Sequence, residues 1–468
     1  MTRKSYIPML LLLIPWLPLD LSAQHHIIRG QIEHADRGMV YLASYYGDRF
    51  TIADSMETST GSFYFVLPGE APAGIYRLIY PEVYRWARTE NRFVEFIVNR
   101  EDLVMNVVAG EKGPLPVFDN SPENQVYMDF VTFQLDYEAS LMEVYGRLYP
   151  ERPGDPLYPS AVAVYEALQR GRNRYLDSVS ACHPDLYATR IMNAFRVPVI
   201  PGSLKHRERI DTLRQVFFQE AAIDDPALLR APVYTYRVVE YLSLFKVDTM
   251  TMERQEGQFI EAVDRIMANV SRDQELRSFV VNFLLEGFEL LGMEQVQVHL
   301  ADHYLDAFCD ADIVEVVTSR MEPYRTMTAG TAAPDFVLRD VDGRSVRLSG
   351  LPHPYILVMF WASSCEHCHE LIPMLHEWYL EENEIGLEVV AISVDTLAAP
   401  FHDFIRQDEM PWITCRDPLG WYGKVTEDYH VYGTPMLFLL DRDRKVISKP
   451  LNFRQFKNAI RNLDTGSR

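Results

Sequence analysis

Residues 355–368 read YILVMFWASSCEHC, an apolar run followed by a short polar turn and two cysteines three positions apart. The apolar run is typical of a buried strand. A strand that leads through residues 362–364 into a helix places Cys365 at the helix N-terminus. There, unpaired backbone N–H groups and the helix dipole favour negative charge on the sulfur. Cys368 follows one helical turn later, within reach for a disulfide, so the stretch predicts thiol–disulfide exchange.

A CxxC pair is compatible with two other kinds of site. Zinc usually takes four nitrogen or sulfur ligands, and the sequence holds no second CxxC beside His367, His369 and His376. A structural disulfide is disfavoured because so short a loop constrains the unfolded chain little. We therefore expect a redox couple that needs neither a metal nor an organic cofactor.

The expected mechanism assigns different roles to the two cysteines. Cys365 attacks as the exposed thiolate, and the more buried Cys368 resolves the mixed disulfide. Glu366 and His367 tune the couple in opposite directions, because a protonated histidine stabilises the thiolate and a carboxylate destabilises it. The direction of electron flow is therefore left open by the sequence.

A second candidate element is the Thr434-Pro435 step, which immediately precedes the apolar run of residues 436–440. A proline at this point is either an ordinary turn residue or a cis-proline. In combination with the CxxC we expect the cis form. The backbone of Thr434 would then lie beside the sulfurs and pair with an extended substrate.

Residues 331–463 resemble the TlpA/ResA-like family of exported thiol–disulfide oxidoreductases, which have a thioredoxin fold. The resemblance implies catalytic roles for Cys365 and Cys368 and substrate contacts for Trp361, Thr434 and Pro435. It rests on matching segments along the domain: Ala333-Pro334-Asp335-Phe336, Asp342-Gly343, residues 360–365 with Cys368 and Pro373, Val394-Asp395, and Tyr432-Gly433-Thr434-Pro435.

The chain departs from this family pattern at the proton acceptor for the resolving thiol. Relatives often carry an acid where this chain has Met359 or Leu371. Glu370 precedes Leu371 and points about 100° away around the helix. Our hypothesis is that Glu370, Glu366 or His367 replaces this acid as the proton acceptor for Cys368 and acts through water.

A peroxiredoxin is the nearest competing enzyme, since its domain opens with a similar Pro-Asp-Phe segment. Its peroxidatic loop carries threonine three residues before the cysteine and proline seven before. Ala362 and Val358 stand at those positions here. Peroxidase activity is therefore not expected.

Composition limits the other classes of function. A chain of 468 residues is too long for one core and predicts roughly three domains. Its formal net charge of -21 argues against a nucleic-acid partner or an anionic membrane surface, because both require a basic face.

The N-terminus predicts export. Arg3 and Lys4 precede an apolar stretch, and Leu21-Ser22-Ala23 offers a cleavage site, so residues 1–23 are interpreted as a signal peptide cleaved near Ala23. An uncleaved membrane anchor is the alternative. The expected location is the periplasm or cell envelope. Outside the redox pair, Cys182, Cys309 and Cys415 are interpreted as small buried hydrophobic residues.

Three domains are predicted after the signal peptide. Short β-branched and aromatic runs between turns indicate a β-sandwich-like domain over residues 24–112. Helical spacing of apolar residues indicates an all-α domain over residues 118–326. Alternating strands and helices indicate an open α/β thioredoxin-like domain with parallel crossovers over residues 330–465. The layout resembles a multidomain subgroup of the family.

Two functional hypotheses follow. In the first, the protein reduces or rearranges disulfides in exported proteins and is recharged by an upstream thiol reductant. In the second, it is an envelope binding or scaffold protein whose thioredoxin-like domain is regulatory or structural. The β and helical domains would select the substrate or form a homo-oligomer.

Overall fold

The structure, a computed structural model, describes residues 25–35, 37–80, 93–110, 113–148, 156–247, 250–308, 311–408 and 410–466. The predicted signal peptide, residues 1–23, and Cys309 lie outside these residues. Among the helices of the described ranges, none is both long and apolar enough to cross a membrane.

The N-terminal part of the described chain is β structure, as its sequence pattern predicts. Its strands form two four-stranded sheets, in the orders β4-β1-β7-β8 and β3-β2-β5-β6. Both sheets contribute to one apolar cluster, for example through Phe65 of the first sheet and Phe96 of the second. The strands are β1 (His26–Ile32), β2 (Gly38–Tyr46), β3 (Arg49–Thr58), β4 (Ser62–Leu67), β5 (Gly74–Ile79), β6 (Phe93–Val98), β7 (Leu103–Gly110) and β8 (Gly113–Asp119).

Strand β8 was not predicted, and the predicted boundary at residue 112 falls between two paired strands. β8 pairs antiparallel with β7 and lies at the edge of its sheet. Pro114 and Pro116 give this segment the appearance of a linker, because proline lacks the N–H that a central strand donates. An edge strand tolerates such residues, since one of its sides has no ladder to complete.

The middle of the described chain is largely helical from residue 122 onward, as the apolar spacing predicts, whereas residues 118 and 119 of the predicted helical range belong to β8. Its last helices matter most here because they approach the site described below. Asp273 caps α7 by accepting a hydrogen bond from the Leu276 N–H, and Gly292 ends it in the left-handed conformation. The helices are α1 (Pro122–Leu148), α2 (Tyr158–Cys182), α3 (Tyr187–Ala194), α4 (His206–Val216), α5 (Val233–Ser243), α6 (Met252–Ala268), α7 (Gln274–Leu291), α8 (Glu294–Tyr304) and α9 (Ala311–Thr326).

The described residues divide into two compact units. The first holds the residues up to Ser203 together with Ala227–Val233, and the second holds Leu204–Pro226 and the residues from Tyr234 onward. The helices predicted to form one domain are therefore divided, with α1–α3 in the first unit and α6–α9 in the second. The three domain boundaries themselves stay a prediction.

The C-terminal region is built on a five-stranded sheet in the order β13-β12-β11-β14-β15. A separate two-stranded hairpin, β9 with β10, precedes it. The elements are β9 (Val337–Arg339), β10 (Ser345–Arg347), β11 (Tyr355–Trp361), α10 (Glu366–Glu381), β12 (Leu387–Ser393), α11 (Ala398–Asp408), β13 (Ile413–Arg416), α12 (Lys424–Asp428), β14 (Met436–Leu440), β15 (Val446–Ser448) and α13 (Phe453–Gly466).

The expected parallel crossovers are present from β11 to β13, but the sheet as a whole is mixed. β12 and β13 continue the parallel order from β11, whereas β14 pairs antiparallel with β11 and β15 pairs antiparallel with β14. The turn between β14 and β15 is too short for a parallel crossover. β13 was missed because four residues carry too little periodic signal.

β11 is the central strand, and its two faces pack into different cores. Leu357, Met359 and Trp361 face the cluster that contains the inner side of α10, and Phe360 faces the opposite cluster. Side chains of a strand alternate between the faces of a sheet, so a continuous apolar run is buried on both. The strand thereby holds the start of the following turn and helix in place.

Candidate redox site

Cys365 occupies the N-cap of α10, as the sequence predicts. Its backbone is extended, with φ of -87° and ψ of 112°, and the helix begins at Glu366. The half-buried Cys365 sulfur accepts a hydrogen bond from the Cys368 N–H at 3.2 Å. This donor and the positive end of the helix dipole both favour negative charge on the sulfur.

The Thr434-Pro435 peptide bond is cis, which confirms the prediction for this step. The Cys365 thiol donates a hydrogen bond to the Thr434 carbonyl oxygen at 3.1 Å. This contact favours the protonated sulfur, because a carbonyl oxygen can only accept. The helix N-terminus and the Thr434 carbonyl therefore act on Cys365 in opposite senses.

Cys368 lies on the inner side of α10 and is fully buried. Burial raises the pKa of its thiol to about 12, and the side-chain hydrogen bond with Cys365 raises the pKa further. A hydrogen bond from the Thr434 side chain acts in the other direction and lowers this pKa. Both cysteines are free thiols in the structure, and Cys365 is the more accessible of the two. The expected division between attacking and resolving thiol fits this difference in burial.

The turn before Cys365 is held by Asp395, at the end of β12. The Asp395 carboxylate accepts hydrogen bonds from the Ser363 N–H at 3.0 Å and from the Ser363 hydroxyl at 2.9 Å. The Ser393 hydroxyl also donates to it, at 2.7 Å. On the other side of the turn, a His369 ring nitrogen lies 2.8 Å from the Ser363 carbonyl oxygen. The sequence marked Val394-Asp395 only as a matching segment, so this positioning role was missed.

The expectation that Trp361 contacts substrate is corrected by its burial. Its side chain is fully buried, and its indole lies 4.8 Å from the Phe404 ring, centroid to centroid. Trp361 is the last residue of β11 and faces the α10 side of the sheet. A residue next to the motif in sequence can point inward because the strand alternates faces.

Glu366, His367 and Glu370 all lie on the exposed side of α10. His367 Nδ1 is 3.9 Å from Glu370 Oε2, with both side chains mostly exposed. Within the described residues, none of the three side chains forms a hydrogen bond with Cys368. The structure therefore does not place the suggested proton acceptors at the buried thiol, and their tuning roles stay a prediction.

Met359 and Leu371 are buried where family relatives often carry an acid. Both belong to the apolar cluster that also contains Cys368. The surroundings of the resolving sulfur are therefore apolar except for groups such as the Thr434 hydroxyl. This is the physical cause of the raised Cys368 pKa.

A pocket of about 430 Å³ adjoins the redox pair. Thr434 belongs to its lining and also contacts the Cys365 sulfur, so the pocket lies beside the residue that touches the reacting atom. One wall comes from the helical region rather than from the five-stranded sheet. The lining consists of His367, Glu370, Leu371 and Met374 of α10, residues 432–437, residues 449–453, Glu289 and Leu290 of α7, and Tyr324 of α9.

The remaining cysteines differ from one another. Cys415 is buried, and burial raises the pKa of its thiol to about 12. Cys182 is exposed, which corrects its interpretation as a buried hydrophobic residue. It is the last residue of α2, where the helix reaches solvent. In the described ranges, no group of three or more His, Cys, Asp or Glu side chains could hold a metal ion.

The fold and site define a thioredoxin-like domain with a CxxC pair at a helix N-terminus. Residues 329–449 match the AhpC/TSA family. They are similar to the thiol–disulfide oxidoreductase ResA of Bacillus cereus (strain ZK / E33L), with 29% identity over 123 residues, which is 26% of this chain and 69% of the relative. ResA of Bacillus subtilis (strain 168) is 28% identical over 122 residues, 26% of this chain and 66% of the relative. The C-terminal region is thus homologous to thiol–disulfide oxidoreductases of the ResA type.

Solved structures are also similar to parts of this chain. The thioredoxin domain of a thiol–disulfide oxidoreductase from Bacteroides vulgatus is 26% identical, with a TM-score of 0.28, covering 29% of this chain and 97% of that chain. A thioredoxin-like protein from Bacteroides caccae ATCC 43185 is 18% identical, with a TM-score of 0.44, covering 57% of this chain and 98% of that chain.

Proposed function

We propose that this protein is an exported thiol–disulfide oxidoreductase that reduces or rearranges disulfides of other proteins through Cys365 and Cys368. The observation that carries the proposal is the environment of Cys365. Its sulfur accepts the Cys368 N–H at the start of α10 and lies 3.1 Å from the Thr434 carbonyl. An accessible sulfur with a buried partner one turn away is what a two-step exchange requires.

The reaction begins with attack by the Cys365 thiolate on one sulfur of a substrate disulfide. The substrate S–S bond breaks, a Cys365–substrate disulfide forms, and the leaving thiolate takes a proton from water. Cys368 then loses its proton and attacks the Cys365 sulfur. The substrate disulfide has then been reduced to a dithiol, and the Cys365–Cys368 dithiol has been oxidised to a disulfide by the same two electrons.

Repeated turnover needs an upstream dithiol that reduces the Cys365–Cys368 disulfide. Run in reverse, the same steps oxidise a substrate, so the reduction potential decides the direction. A potential near that of thioredoxin, about −270 mV, supports a reductase. A potential near about −120 mV, as in a strong oxidant, supports disulfide formation.

The proposed location is the periplasm or cell envelope. It rests on residues 1–23, whose charged start, apolar stretch and small-residue site are typical of a cleaved signal peptide. Disulfide-bearing substrates are also found mainly outside the cytoplasm. The mature N-terminus of the exported protein tests this, and an unprocessed protein retained in the cytoplasm would contradict it.

Reduction of insulin by the dithiol form tests the activity. We expect the Cys365→Ser variant to fall to the uncatalysed rate, because the attacking sulfur is gone. Cys182→Ser is the matched control, since it removes an exposed cysteine outside the couple and should retain the full rate. Equal rates for Cys365→Ser and the unmodified protein would refute the proposed function.

A further inference from the structure

The pocket beside Cys365 has a wall that the five-stranded sheet does not supply. Tyr432, which leads into the Thr434-Pro435 step, lies under the Arg320 guanidinium of α9, 5.7 Å from its ring centroid. Arg320 in turn forms an ion pair with Glu289 of α7. Tyr324 of α9 lines the pocket together with Tyr432, and burial raises its pKa, with Tyr432 raising it further. Helix α9 therefore packs directly against the loop that contacts the reacting sulfur, and α7 is linked to this loop through Arg320.

A buried ion pair holds the same wall from the other side. Lys449, just after β15, places its Nζ 2.7 Å from Glu294 Oε2 and 2.6 Å from the Met327 carbonyl oxygen. Only 3% of the Lys449 side chain is exposed. Breaking such a pair leaves an uncompensated buried charge, which is costly. The pair therefore holds residue 449 against α8 and the end of α9.

The charged groups that line the pocket differ in whether they already have partners. Glu289 is paired with Arg320, and Lys449 is paired with Glu294. The Glu370 carboxylate is 73% exposed, and His367 Nδ1, at 3.9 Å, is too distant for a hydrogen bond. The pocket therefore presents a carboxylate that can pair with an incoming cation.

The apolar part of the lining is also accessible. Leu290, at the end of α7, is 67% exposed, and Met374 of α10 is 41% exposed. Leu371, Met436 and Leu437 also line the pocket and are buried. A volume of about 430 Å³ suits one or two side chains rather than a folded domain, since small-molecule pockets begin at about 300 Å³.

We propose that α7 and α9 make this pocket a specificity subsite for the segment of polypeptide that flanks the target disulfide. The subsite takes an apolar side chain against Leu290 and Met374 and a basic side chain at Glu370. A cysteine held at Cys365 passes Thr434, so its neighbours in sequence enter the pocket. This inference rests on the proposed function and names the substrate segment that the redox pair acts upon.

Short cysteine peptides joined by a disulfide to thionitrobenzoate provide the probe. The Cys365 thiolate forms a disulfide with the peptide sulfur, the peptide–thionitrobenzoate bond breaks, and the coloured thionitrobenzoate anion leaves. Cys368 then closes the Cys365–Cys368 disulfide and releases the peptide thiol, so each turnover oxidises one dithiol. Peptides with leucine and arginine beside the cysteine are compared with peptides carrying glycine, or leucine and glutamate.

We expect the leucine–arginine peptide to react fastest, and two substitutions to remove its advantage. Leu290→Asn should lower its second-order rate about tenfold, because a methylene-scale apolar contact is lost. Glu370→Gln should remove about a threefold preference for arginine over glutamate, which is the scale of an exposed ion pair. Leu291→Asn and Glu377→Gln are the matched controls, since both residues are exposed on the same helices and neither lines the pocket.

Reaction with dithionitrobenzoate, which has no peptide segment, distinguishes failure of the subsite proposal from failure of the proposed redox function. If Leu290→Asn and the two control variants keep the unmodified rate with it, the redox pair and the fold are intact, and the Glu370→Gln peptide rates are compared after division by that variant's own rate with dithionitrobenzoate. Peptide rates that are then equal for the Leu290, Glu370 and control variants would overturn the subsite. If the unmodified protein fails with both probes, the proposed function fails instead.

Discussion

The carbonyl oxygen of Thr434 lies 3.1 Å from the sulfur of Cys365, although the two residues are 69 positions apart in the chain. The side chain of the same threonine acts as a hydrogen-bond donor that lowers the pKa of the Cys368 thiol. One residue therefore acts on both sulfurs, through its backbone carbonyl at the attacking thiol and through its hydroxyl at the resolving thiol. The first contact favours a protonated Cys365, and the second favours an ionised Cys368.

The Thr434 hydroxyl should speed the resolving step. Replacing it in Thr434→Val keeps the shape but removes a hydrogen bond to a charged group, worth about 1.5 kcal/mol, so resolution should slow about tenfold. The measurement is the decay of a Cys365 mixed disulfide with thionitrobenzoate. Thr434→Ser, which keeps the hydroxyl, is the control and should decay at nearly the unmodified rate. A serine variant as slow as the valine variant would show that the hydroxyl is not responsible.

The resolving step should accelerate with pH. Burial raises the Cys368 pKa to about 12, so below that pH the thiolate fraction increases about tenfold per pH unit. Because the thiolate is the nucleophile, the mixed disulfide should persist in acid and disappear quickly in alkali. Reactions quenched at successive times between pH 6 and about 10 can be analysed by mass spectrometry, which measures how much mixed disulfide remains. A resolving rate that is level across this range would contradict a high Cys368 pKa in the intermediate.

Asp395 should matter for both stability and attack, because its carboxylate holds the turn that carries Cys365. Asp395→Asn removes charge-assisted acceptance from Ser363, and we expect the free energy of unfolding to fall by about 1.5 kcal/mol. Urea unfolding measures this loss, and dithionitrobenzoate measures Cys365 attack, which should slow. The exposed Asp403 of α11 offers the control variant Asp403→Asn. Additive effects of Asp395→Asn and Ser363→Ala in a double-mutant cycle would refute the direct interaction.

The ion pair between Lys449 and Glu294 should be costly to break from one side. Glu294→Gln leaves the buried Lys449 ammonium without its carboxylate, and we expect a loss of about 3 kcal/mol in the free energy of unfolding. Lys449→Met combined with Glu294→Leu should recover much of that loss, because both charges are removed together. Thermal and urea unfolding measure the effect, with the exposed Glu315→Gln as control. A single variant as stable as the double variant would exclude a buried pair of this kind.

The local parts of the site could be predicted from the sequence. The apolar run, the turn and the cysteine spacing predict β11, α10 and the N-cap position of Cys365, because these features depend on neighbours within one or two turns. Two corrections arise from the same local reasoning. Trp361 is adjacent to the motif but faces inward, and β8 was hidden by prolines that only an edge strand accepts.

The pocket could not be predicted, because its walls come from distant parts of the chain. Leu290 and Tyr324 carry no motif, and their spacing is that of ordinary helices. Glu370 was singled out as a possible proton acceptor for Cys368, whereas the structure places it at the pocket and on the exposed side of α10. Periodicity predicts which face of a helix is apolar but not which other helix lies opposite.

The chemistry follows from the amino-acid sequence alone: a thiol pair at a helix N-terminus, with a proline step that the structure confirms as cis. The thiol pair at the helix N-terminus is local, and local sterics and hydrogen bonding are sufficient to produce it. The cis step was expected only in combination with the distant CxxC, because an X–Pro bond by itself favours trans. Only the tertiary structure decided the surroundings of the two sulfurs. Asp395 reaches Ser363 over 32 positions and Thr434 reaches Cys365 over 69. Contacts at such separations depend on how the sheet orders its strands, and no local pattern encodes that order.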